Sequence, residues 1–186
     1  MVVAAAALAG AAALALTSGD SGGGDAPADG RPPTAAERAL VRRAQALVDV
    51  RPEDLGYRLV VRGAAGEVRG QTDTQRRTIA LFVDARDAPH RVAHDLAHEL
   101  GHAYDASRMT PARRRAWLRA RGAPDAPWSP VAGRASDYES GAGDFAEVFA
   151  RCHAASPEFR SRLAPPPADA CALLPAGART DALASR

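Results

Sequence analysis

The stretch RVAHDLAHELGHAYD, residues 91 to 105, places histidine at 94, 98 and 102, and His90 extends the series by one more step of four. That spacing belongs to an α-helix, because four residues turn through about 400° and return to nearly the same face. Val92, Leu96, Ala97 and Leu100 supply the apolar face such a helix must bury. Each step of four drifts by about 40°, so adjacent histidines can share one ligand while the ends of the series diverge by about 120°. Any fold of this chain must therefore bury one face of this helix, and the spacing lets one adjacent histidine pair meet a common partner.

Two pairs compete, HDLAH at 94–98 and HELGH at 98–102, and both share His98. Each has an acid just after its first histidine, on the flank of the histidine face, where a carboxylate reaches a water rather than the metal. Glutamate has the longer reach, which favours His98 and His102 as metal ligands and Glu99 as general base and acid. Gly101 weakens a helix interior and makes sense where another backbone passes close by. Neutral imidazoles suit Zn²⁺, and a catalytic zinc takes three protein ligands and keeps the fourth position for water. The alternative is a solvated helix with histidine as surface filler. His94 is expected to be an outer neighbour and His153 a surface residue.

The rest of the chain reads as an α+β domain. Thr34 and Glu37 stand at capping-box spacing ahead of a helix with Leu40, Ala44, Leu47 and Val48 on one face. GYRLVVRG and RTIALFVD are β-branched and aromatic runs, predicting two or three strands of a small sheet. Pro89 is predicted to open the histidine helix, and Thr110 and Pro111 a further helix that Gly122 stops. Residues 122–142 form a long Pro- and Gly-rich loop, GDFAEVFARCHA is another helix, and Ser156-Pro157 are expected to start a short one. Trp117 and Trp128 read as core or loop anchors.

The start, apolar from Val2 to Leu16, would span roughly 22 Å as a helix, short of the ~30 Å hydrocarbon layer. It predicts a signal-peptide-like segment at 1–16, a flexible linker at 17–33 and a folded domain at 34–186, with no stable membrane span. All basic residues are arginine and lysine is absent, as in G+C-rich bacterial coding sequences. The formal charge of +2 balances 24 basic against 22 acidic residues. No nucleic-acid partner is suggested, and a monomer is expected. Cys152 and Cys171, nineteen apart, fit one disulfide in a secreted or extracytoplasmic protein.

HELGHAYD followed about 45 residues later by DFAEVFA resembles the gluzincin zincin metallopeptidases, especially the lethal-factor-like branch and small secreted bacterial relatives. The resemblance covers residues 75–160 and implies a zincin-like domain in which a short mixed sheet packs on the HExxH helix and on a second glutamate helix. It implies a zinc-dependent endopeptidase whose peptide or protein substrate pairs with an edge strand, here expected to be RTIALFVD. The family's third ligand is a glutamate four residues before the glutamate of FAE, which acts behind the metal ligands. That position is Gly143 here, so the third ligand is expected to be Glu147, with Asp144 second. Tyr138 is a candidate for a phenol on the developing oxyanion, and Asp105 for an acceptor behind a ligand imidazole. The rival reading is a non-catalytic zinc-binding pseudoenzyme that recognises peptide or cell-wall material.

Overall fold

The computed structural model describes residues 30–64, 66–130, 136–154 and 156–179. The signal-like segment, most of the linker and the last seven residues lie outside them. The described chain is α+β: α1 (Ala35–Gln45), β1 (Arg58–Gly63), β2 (Gly70–Asp73), β3 (Thr78–Val83), α2 (Pro89–Arg108), α3 (Pro111–Ala120), α4 (Gly141–His153) and the short α5 (Ala170–Leu173). Single 3₁₀ turns lie at Pro52–Leu55, Asp137–Glu139 and Ala176–Ala178.

Local chemistry sets the helix starts. The Thr34 hydroxyl accepts from the Glu37 N–H at 3.2 Å, and the Glu37 carboxylate accepts from the Thr34 N–H at 2.7 Å, closing the capping box. Arg31 pairs with the other side of the same carboxylate. Pro89 sits in the first turn of α2, where its missing N–H costs no helical hydrogen bond. Thr110 caps α3 by accepting from the Arg113 N–H, and Gly122 ends that segment at φ 72°, a left-handed conformation that favours glycine.

The sheet order is β1-β3-β2, with β1 parallel and β2 antiparallel to β3. β3 is thus the central strand and β2 an edge, which corrects the expectation that RTIALFVD forms the edge over the histidine helix. The reason is burial: Ile79, Leu81, Phe82 and Val83 are all enclosed, and a strand so continuously apolar needs cover on both sides.

α2 is the hub, in contact with α1, with β2 and β3, and most extensively with α4. A Cβ added at Gly101 would come within 2.6 Å of the Ala146 Cα, so the bare backbone lets the two helices close together. Leu96, Leu100, Tyr104, Phe145, Val148 and Phe149 fill their interface and join one core.

The Ser156-Pro157 segment is not helical. The Arg160 N–H donates to the Glu147 carboxylate instead of to a residue four back, so the chain runs as an irregular strap across α4. Cys152 and Cys171 are joined in a disulfide that ties α4 to α5. His153, expected at the surface, is buried: its Nδ1 meets Asp49 Oδ1 at 2.6 Å and its Nε2 meets the Ala178 carbonyl at 2.8 Å. No described helix is long and apolar enough to cross a membrane.

Candidate metal centre

His98 and His102 lie one turn apart on α2, and their Nε2 atoms are 3.1 Å apart. The Asp137 Oδ2 atom, from the 3₁₀ turn ahead of α4, stands 2.9 Å from the His102 nitrogen and 3.3 Å from that of His98. Three atoms this close raise a simple question of protons. One hydrogen bridges one pair at a time, whereas a cation at the centre serves all three lone pairs. Zinc bonds of about 2.0–2.1 Å at tetrahedral angles put ligand atoms about 3.4 Å apart, close to the separations seen. His98, His102 and Asp137 are the one group among the described residues that could hold a metal ion.

The two acids expected to complete such a site are elsewhere. Glu147 is buried on the far side of the His98 ring, with Oε1 2.8 Å from Nδ1 and 3.2 Å from His94 Nε2. Burial pushes its carboxyl up, but the hydrogen bonds from His94 and His98 outweigh that and hold it well below the usual range. An ionised Glu147 can only accept, so His98 Nδ1 carries a hydrogen, and the nitrogen left to offer a lone pair to a metal would be Nε2, on the Asp137 side.

Asp144 is fully enclosed and consumed by donors: Trp117 Nε1 at 3.0 Å, Arg121 through Nε at 2.8 Å and Nη2 at 3.0 Å, and Ser161 Oγ at 2.6 Å. It has no oxygen to spare for an ion. Asp105 likewise accepts from Arg114 and from Trp128 Nε1 rather than from an imidazole. His94 is behind the pair, as expected, and its Nδ1 finds no partner among the described residues.

Burial pushes the His98 ring toward its neutral form, yet its hydrogen bonds to Asp137 and Glu147 and the charges of Glu99 and Asp137 raise its pKa well above the ordinary imidazole range. For Asp137, burial is again opposed and overcome, here by His102 and His98, and its carboxyl is held far below the usual value. Both carboxylates around His98 are therefore ionised at neutral pH.

Glu99 sits beside the pair and under β2. A Cβ at Gly70 would come within 2.6 Å of the Glu99 Cγ, so the bare backbone of the strand lets this side chain lie directly against it. The Thr72 hydroxyl lies 2.7 Å from Glu99 Oε2 and 3.0 Å from its main-chain oxygen. Tyr138 packs edge-on to the His98 ring at 5.5 Å, and its hydroxyl lies 3.5 Å from Arg160 Nη1. Together with Val68, Arg69 and Ser136 these residues line an open cleft of about 670 Å³.

Sequence reasoning missed Asp137, Thr72, Gly70 and Arg160. Only Asp137 left a signal, as an acid in the long loop ahead of the second helix. The chain matches no family model, no curated protein and no solved structure.

Proposed function

We propose that the protein is a zinc-dependent endopeptidase that works outside the cytoplasm, with His98, His102 and Asp137 as the metal ligands. The observation that carries this reading is the convergence of three ligand atoms within 3.3 Å, with a glutamate carboxylate beside them in an open cleft. The ligand set is the two-imidazole, one-carboxylate type that leaves a position open for chemistry. Zinc bound there would polarise a substrate carbonyl and lower the pKa of a water to about 7.

The chain's own residues then have distinct tasks. Glu99 takes a proton from the attacking water and returns it to the leaving amine. Thr72 donates to Oε2 and so leaves Oε1 as the proton acceptor. Tyr138 offers its phenol to the developing oxyanion. β2, the edge strand over Glu99, is suited to an extended peptide, which can add to a sheet edge through main-chain hydrogen bonds. The disulfide fits an oxidising compartment.

A second reading, a zinc-binding module without turnover, is favoured by the aspartate ligand standing where the resemblance implies a helix-borne glutamate. Glu99→Gln separates the two. The peptidase reading requires zinc content equal to wild type and hydrolysis of a casein or peptide-library substrate reduced by about 10²-fold or more, the scale of a lost general base. Wild-type protein that holds zinc and cleaves nothing leaves only the binding module.

A further inference from the structure

We infer that Gly143 is a positioning residue of the metal centre: its bare backbone is the seat on which the Asp137 turn rests, and a side chain there would withdraw Asp137 from the two histidines. The inference depends on Asp137 being the third ligand.

Gly143 lies in the first turn of α4 and is not among the residues with positive φ. The helix gains nothing from glycine at that position and is weaker for it than with alanine. The reason is steric. A Cβ at Gly143 would lie 2.6 Å from the Asp137 carbonyl carbon, closer still to its carbonyl oxygen, and 3.1 Å from its carboxyl carbon. The two nearest obstacles are main chain, which cannot swing aside as the end of a side chain can. Ser140 pins them in place. Its N–H and hydroxyl both donate to the Asp137 carbonyl, at 2.8 and 2.7 Å, while its oxygen accepts from the Gly143 N–H at 3.2 Å.

Magnitudes decide what yields. Bringing a 2.6 Å carbon contact to the ordinary ~3.5 Å needs a shift of roughly 1 Å. Metal–ligand distances tolerate about 0.2 Å. The fold can absorb the shift by moving a single 3₁₀ turn, but the ligand geometry cannot. Gly101 differs, because its missing Cβ faces the Ala146 backbone of a packed helix and serves the core.

The test is Gly143→Ala in the full chain, with zinc affinity measured against a competing chelator and thermal unfolding measured in EDTA. We expect zinc affinity to fall at least 100-fold while the metal-free protein unfolds no earlier than wild type. An affinity within threefold of wild type would overturn the inference. Asp137→Ala, run in parallel, separates this from the site assignment. If that variant also binds zinc normally, the ligand assignment fails; if it loses zinc and Gly143→Ala does not, only the role of Gly143 fails. Should Gly143→Ala not fold, Ser140→Ala decides. It adds no atoms but loosens the same turn, and about tenfold weaker zinc binding supports the seat whereas unchanged binding rejects it.

Discussion

Asp137 and Asp144 lie seven residues apart, on a turn and on the helix that follows it, and the structure puts them to opposite uses. Asp144 is enclosed and surrounded by hydrogen-bond donors from Trp117, Arg121 and Ser161. Asp137 is about a quarter exposed and faces two imidazole nitrogens, which can present lone pairs. An acid among donors is already neutralised and fastens α3, α4 and the strap together. An acid facing imidazoles can either accept their hydrogens or, once those are displaced, share their lone pairs with the divalent cation proposed above. On the proposed reading, what distinguishes a structural carboxylate from a ligand is whether its neighbours can only donate or can also offer lone pairs, not its distance from the histidines along the chain.

The comparison can be broken in several ways. Asp144→Ala should have the largest effect, because it strands the buried Arg121 guanidinium. Losing one partner of a buried pair costs about 3–5 kcal/mol, and for a domain of this size thermal unfolding should fall by roughly 6–20 °C. A melting temperature unchanged by the substitution would show that the Asp144 cluster does not hold the fold. Asp137→Ala should do the reverse. Its metal-free melting temperature should stay near wild type while zinc affinity drops more than 100-fold, beyond the 10–100-fold usual for residues behind the ligands. Equilibrium dialysis against zinc checks it.

Glu147→Gln sharpens the same contrast from behind the site. It keeps the volume but loses the charge that orients His98, and zinc should bind 10–100-fold more weakly. Wild-type affinity in that variant would mean His98 keeps its tautomer without help.

The smallest effect belongs far from the metal. The Arg31 hydrogen bonds, against the cost of burial, lower the Glu37 carboxyl from 4.5 to about 2. A depressed carboxyl pKa contributes stability that is complete above the unfolded value near 4.5 and is lost as pH falls toward 2. Glu37→Gln should therefore flatten that part of an acid-unfolding curve monitored by circular dichroism, and cost about 1 kcal/mol at neutral pH through the weakened cap. An unchanged acid limb would show that this ion pair does not contribute.

Much of this was legible before the fold. Capping at Thr34 and Thr110, the start of α2 at Pro89, and the His98–His102 pair flanked by Glu99 all depend on residues within one or two turns of one another. Gly101 was legible as a close approach, although not its partner, Ala146. The errors were all long-range. RTIALFVD reads as a strand, but its central place depends on β2 folding back along one side of it and β1 lining up on the other. His153 reads as polar and exposed until Asp49 and the Ala178 carbonyl arrive to satisfy both ring nitrogens.

By itself, the sequence determined the helices, their caps and which two imidazoles share a face, because an α-helix repeats every 3.6 residues wherever it occurs. Only the tertiary structure decided which of three nearby acids meets the Nε2 atoms of both imidazoles. That choice depends on how closely α2, α4 and the turn before α4 approach, and the approach is set by absent side chains at Gly101 and Gly143 and by donors gathered on Asp144 from distant segments. Periodicity carries no information about such distances.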